Sequence, residues 1–198
     1  MNSKFYYLLL FLVLFLIYFI STSLIENKLN KIEQKLEQKE IRYHNLIDSL
    51  YNKYNKTLKE YENILDSLPL GPPLDTLVIQ DDYGIRKHPI SRKWRMHSGI
   101  DLVDTWRDTV YSTGNGTVKF AGWNSGYGKC VVISHIGGYE SKYAHLSRIF
   151  VKKGNLVKDN EPIGRCGSTG YVTGQHLHYE ILRNGKTTDP LPYITQTY

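Results

Sequence analysis

The chain has 198 residues, 25 basic against 19 acidic, a formal net charge of +6 and two cysteines. That length allows one ordinary domain with appendages, and two cysteines make neither a disulfide framework nor a thiolate zinc knuckle. No Lys/Arg run or basic–aromatic stripe accompanies the charge, so nucleic-acid binding is not expected. The surplus suits plain solubility, or affinity for an anionic polymer such as cell wall.

Composition divides the chain into three segments, expected at 1–24, 25–69 and 70–198. In the first, Phe5 to Ile20 is an uninterrupted apolar and aromatic run. Continued through Ile25 it reaches about 21 residues, roughly 30 Å of helix and the thickness of a bilayer core. A cleaved signal peptide has a shorter apolar region and an Ala-x-Ala-like site. Ser21-Thr22-Ser23 is a poor match, so an uncleaved transmembrane anchor is expected. Charge does not fix its direction: Lys4 precedes the span, whereas Lys28, Lys31, Lys35, Lys39 and Arg42 follow it. Taken literally, the positive-inside rule opposes an exported C-terminal domain.

The second segment is rich in Lys, Glu, Asn and Leu, and all 16 glycines lie from Gly71 onward. Apolar residues at Ile25, Leu29, Ile32, Leu36, Tyr43, Leu46, Leu50, Tyr54, Tyr61, Leu65 and Leu68 alternate spacings of four and three. This is the seam of a coiled coil, with Lys39 and Thr57 filling polar gaps. Such a seam needs a partner, either a second copy of the chain or another protein; without one, the segment is a solvated spacer helix. Pro69 and Gly71-Pro72-Pro73 are expected to stop it.

From Leu74 the pattern becomes short alternating runs, such as Thr117-Val118-Lys119-Phe120 and Lys129 to Ile133, between glycine-bearing turns. Many-stranded antiparallel β structure with little helix is expected. Cys130 and Cys166 read as small buried apolar residues.

Two polar pairs carry chemistry. His97 and Asp101 are four apart, and His176 and His178 are two apart. On an extended strand, even separations put side chains on one face. Each pair can therefore enter one groove while Ile100 and Leu177 enter the core. Imidazoles with one carboxylate suit zinc, and three protein ligands leave a fourth position for water. Bound zinc makes hydroxide available near neutral pH. Each pair alone is a weak signal, and an HxH can be a surface accident.

The stretch from about Asp81 to Tyr193 resembles the lysostaphin-type (LytM-like) zinc endopeptidases of bacterial cell walls. The resemblance is carried by Tyr83-Gly84-Ile85-Arg86-Lys87-His88-Pro89, Met96-His97-Ser98-Gly99-Ile100-Asp101, Gly114-Asn115-Gly116-Thr117-Val118, Tyr143-Ala144-His145-Leu146, Gly167-Ser168-Thr169-Gly170 and Gly174-Gln175-His176-Leu177-His178-Tyr179-Glu180. It implies that His97, Asp101 and His178 hold one Zn2+ and that His145 and His176 handle protons. It leaves open which histidine is the general base. The Gly167–Gly170 turn is expected to line the groove, with Tyr127, Tyr139, Tyr143 and Tyr171 as further candidates. His88 and His135 are given structural roles, and His44 lies on the spacer.

The implied activity is hydrolysis of cross-links or stem peptides in peptidoglycan, in the cell envelope and outside the cytoplasm. An outward-facing C-terminal domain follows from that substrate, not from charge. In a diderm envelope this is the periplasmic side of the inner membrane. Two other functions compete. One is a coiled-coil scaffold that activates a separate cell-wall amidase, for which the five site residues have no chemical use. The other is a zinc-dependent binding module without turnover.

Overall fold

The computed structural model describes residues 3–87, 92–103 and 108–195. The His88-Pro89 part of the quoted motif lies outside them. By its internal contacts the chain divides into two units, Met1–Leu58 and Lys59–Tyr198. The described residues of the first are all helical. Helix α1 runs without a break from Ser3 to Asp66, about 96 Å at 1.5 Å per residue. Its apolar N-terminal side chains are exposed, among them Phe11, Phe15 and Phe19. Among the described residues this helix alone is long and apolar enough to cross a membrane, which is consistent with an anchor. The seam residues Leu29, Ile32, Leu36, Leu46 and Leu50 are exposed on this helix.

The helix ends at Asp66, three residues before Pro69. The segment after the helix is tied to the β structure. Gly71 N–H donates to the Thr113 carbonyl at 2.9 Å and Tyr111 N–H to the Pro73 carbonyl at 3.0 Å. Leu74 is a core residue.

The strands are β1 (Val78–Asp81), β2 (Gly84–Lys87), β3 (Trp94–His97), β4 (Ile100–Val103), β5 (Thr109–Tyr111), β6 (Gly116–Asn124), β7 (Gly128–Ser134), β8 (Tyr139–Leu146), β9 (Arg148–Ile149), β10 (Leu156–Val157), β11 (Pro162–Arg165), β12 (Leu177–Arg183) and β13 (Lys186–Thr188). A short helix α2 (Leu191–Ile194) follows. An eight-stranded sheet has the order β1-β4-β12-β8-β7-β6-β10, with β13 also on β12; β5-β11-β9 and β2-β3 form two small sheets. Every pairing is antiparallel, as the alternating runs and glycine turns imply.

Ile100, Leu102, Leu177, Tyr179 and Ile181 pack with Ile133 and Leu146 in one core. Tyr143 and Tyr179 are fully buried, and Thr113 satisfies both: its Oγ1 lies 2.9 Å from each phenol oxygen, and its N–H donates to the Tyr143 hydroxyl at 2.9 Å. Tyr143 is thus a core residue and not a groove residue, as is clear once its face of β8 is known. Tyr139 likewise packs on Tyr193, ring centroids 5.9 Å apart. Both cysteines are buried, and they form no disulfide.

Candidate metal centre

His97 and Asp101 do not share one extended strand. His97 ends β3, Asp101 lies in β4, and the chain breaks at Ser98-Gly99. The break carries the chain from the β2–β3 ribbon into the large sheet. Gly99 is required there, because a Cβ would be driven into the Tyr179 carbonyl oxygen on the neighbouring strand. That close approach holds β4 against β12 and sets Asp101 opposite His178 in register. His176 precedes β12 and is pinned by a bridge to Gly167.

His145 enters by a different device. Lys129 pairs with Leu146 but Val131 pairs with Tyr143, so β8 carries one extra residue there. His145 sits in this bulge at φ 62°, the left-handed region that non-glycine residues seldom occupy. Bulges break alternation and re-aim side chains. Tyr143, Ala144, His145 and Leu146 are accordingly all buried.

The five residues meet at one groove of about 530 Å³, which Tyr127, Tyr171, Val172 and Thr173 also line. The Gly167–Gly170 turn does not line it. The turn supports the histidines from behind: the Thr169 carbonyl accepts from His145 Nδ1 at 2.8 Å, and Gly167 bridges His176.

The outward nitrogen of each imidazole has an acceptor. His97 Nδ1 is 2.7 Å from the Asp82 carbonyl, His176 Nδ1 is 3.1 Å from the Gly174 carbonyl, and His178 Nε2 is 3.1 Å from Glu180 Oε1. An acceptor on one side fixes the proton there and leaves a lone pair on the other nitrogen. His97 Nε2 and His178 Nδ1 therefore turn lone pairs toward each other at 3.2 Å. Asp101 Oδ1 adds its own, 3.2 Å from the first and 2.7 Å from the second. These three ligand atoms lie within 4.8 Å of one another. Convergent lone pairs without a shared proton repel, so the donor set fits a cation.

Protons compete with a cation for these same atoms. Burial opposes charge on the His178 ring, yet the Asp101 and Glu180 carboxylates on its two sides raise its pKa. Burial likewise opposes the Asp101 carboxylate, but the His178 and His97 rings beside it hold it well below the usual range. Behind them, fully buried Glu180 accepts from Ser98 Oγ at 2.5 Å, Tyr127 Oη at 2.8 Å and Lys142 Nζ at 2.6 Å as well as from His178. Against burial, these donors bring its pKa down to about 2. The sequence displays Glu180 only as the tail of a motif; its hub role depends on four residues brought together by long-range pairing.

His145 and His176 stand beside this trio with ring centroids 5.1 Å apart, and His145 is 5.8 Å from His178. Burial pushes the His145 imidazole down to about 4 and lowers His176 as well. Both are neutral rings at physiological pH, each with Nε2 free of the backbone carbonyl that holds Nδ1. His135 is elsewhere, bonded to the Asn115 carbonyl and to Ser141 Oγ.

An antiparallel β domain with a groove-floor cluster of two imidazoles and a carboxylate is the framework of a metal-dependent hydrolase. Residues 95–190 match the model of Peptidase family M23. The chain is 43% identical over 125 residues to the DD-carboxypeptidase/endopeptidase Mpg of Neisseria meningitidis serogroup B, an alignment covering 63% of this chain and 29% of that protein. Among solved structures, a zinc-containing peptidase from Vibrio cholerae superposes with a TM-score of 0.57 at 37% identity, covering 60% of this chain and 37% of that one. The catalytic domain of lysostaphin from Staphylococcus simulans gives 0.55 at 31% identity, covering 61% and 93%. Residues 95–190 are thus a Peptidase family M23 domain. The chain spans less than a third of the length of the curated relatives it matches.

Proposed function

We propose that this protein is a zinc-dependent endopeptidase that hydrolyses peptide bonds in bacterial peptidoglycan. The observation that carries the reading is the convergence of three ligand atoms beside two further histidines in an open groove. Mpg, the relative from Neisseria meningitidis, is named as a DD-carboxypeptidase/endopeptidase, which supports the same class of bond.

His97 Nε2, Asp101 Oδ1 and His178 Nδ1 are assigned to hold one zinc ion. When bound, zinc supplies Lewis acidity, polarising the scissile carbonyl and lowering the pKa of water. Glu180 keeps the His178 proton on Nε2 and so keeps Nδ1 available. Asp82 does the same for His97 through its carbonyl. His145 and His176, neutral and fixed through Nδ1, accept a proton from the attacking water at Nε2 and return one to the leaving amine.

Helix α1 is read as an uncleaved anchor over 1–24 followed by a spacer over 25–69, with the 70–198 domain outside the cytoplasm where peptidoglycan lies. The exposed seam supports pairing with a second copy or another helix. Incubating the full-length protein with purified sacculi, with and without a zinc chelator, tests the activity. Peptide release that stops with chelator and returns with zinc is expected. Zinc binding without any bond cut would leave a binding module.

A further inference from the structure

One wall of the groove carries more positive charge than the metal centre uses. Arg86 and Arg95 face each other directly across the β2–β3 ribbon, and both line the groove. Directly opposed cross-strand residues share a face, where like charges repel. Arg86 is partly matched: Nη1 is 3.3 Å from Asp81 Oδ2 and Nη2 is 3.5 Å from Asp101 Oδ2. Its buried Nε has no hydrogen-bond partner. Arg95 is exposed and has no ion-pair partner among the described residues. Asp101 cannot neutralise the pair, since its other oxygen is turned to His97 and His178.

A buried donor without an acceptor is costly, and a cross-strand pair of cations adds to the cost. An anion in the groove relieves the repulsion between the two guanidinium groups. A guanidinium fork matches the two oxygens of a carboxylate. The geometry points to a carboxylate subsite formed by Arg86 and Arg95, which binds a free carboxylate of the substrate peptide beside the bond to be cut. Adjacency to that bond follows from Arg86, which reaches the carboxylate of the metal trio itself. This rests on the peptidase reading given above. The carboxylate can be the end of a peptide or a branch along it; the subsite chemistry is the same.

The test uses the full-length, zinc-loaded chain in detergent micelles and a short cross-linked stem peptide in three forms. One has all carboxylates free, one has the terminal carboxylate amidated, and one has the branch carboxylates amidated. Binding is measured by calorimetry and cleavage by product analysis. One of the amidations is expected to weaken binding about tenfold, the effect of losing one charge-assisted contact, and its identity names the source. Arg95→Gln is the informative variant, because Arg95 does not touch Asp101. It is expected to erase the difference between free and amidated forms, with the loss appearing in KM. Equal binding of all three forms by the wild type, or discrimination that survives in Arg95→Gln, would overturn the subsite. Discrimination without cleavage keeps the subsite and removes the peptidase reading. Cleavage of all forms with equal KM does the reverse.

Discussion

His178 Nε2 donates to the Glu180 carboxylate at 3.1 Å, and this contact turns the opposite ring nitrogen toward Asp101 at 2.7 Å. Glu180 also neutralises Lys142, with which it shares a 2.6 Å ion pair. Glu180→Gln is therefore expected to have two effects. Leaving Lys142 without its partner costs the metal-free protein about 3 kcal/mol, read by urea unfolding. Loosening His178 lowers zinc affinity by about 10- to 100-fold, read by competition with a chelator. Unchanged affinity would remove Glu180 from the account.

The two histidines of the HxH have separable roles. His178→Ala is expected to lose both zinc and turnover. His176→Ala is expected to keep most of its zinc while turnover falls by about 10²- to 10⁴-fold, the usual weight of general acid–base catalysis. Metal content by elemental analysis beside cleavage rates separates them. Loss of zinc in His176→Ala would move that residue into the ligand set.

Much of this site was legible because metal chemistry demands few residue types. His97, Asp101, His176 and His178 stand out as two spaced pairs and His145 only through the family resemblance, and the fold brings all five to one groove. Parity does not account for the first pair, since a sheet-to-sheet break lies between His97 and Asp101. Alternation predicts faces only within an unbroken strand. It fails at the β8 bulge that aims His145, and it cannot tell which face of β8 Tyr143 occupies. Glu180, Arg86 and Lys142 were hidden because their roles come from cross-strand register, which no local pattern encodes. The helix ends at Asp66, before Pro69, where Asp66, Gly71 and Pro73 are hydrogen-bonded to Asn115, Thr113 and Tyr111 of the β structure, a tertiary effect.

Gly99 supplies a structural prediction. Gly99→Ala pushes β4 away from the Tyr179 carbonyl, and with it Asp101 from His178. A loss of about 2 kcal/mol or more is expected, as for other overpacked interiors, together with weaker zinc binding. Thermal unfolding with and without zinc checks this; a variant as stable and as zinc-competent as the wild type would contradict it.

Acid should destabilise the metal-free protein in a definable window. The His145 ring, pushed down to about 4 chiefly by burial, stays neutral in the fold while the unfolded ring protonates near 6.5. The unfolded state thus binds an extra proton below about pH 6.5, and stability falls until the folded ring also protonates near 4. Glu180, held down to about 2, contributes fully above about 4.5 and loses its contribution as pH falls toward 2. Urea unfolding of chelated protein from pH 8 to pH 4 should show the first loss, and His145→Gln should reduce the slope. An unchanged slope in that variant would contradict the neutral assignment.

The central claim is that His97, Asp101 and His178 hold the zinc on which peptide hydrolysis depends. Mass spectrometry of defined cross-linked muropeptides, incubated with the zinc-loaded full-length protein, tests it most directly. The expected result is cleavage at one peptide bond, abolished by chelator, restored by zinc and absent in His178→Ala. Cleavage that persists through chelation and in His178→Ala, or an intact substrate with one zinc bound per chain, would contradict it.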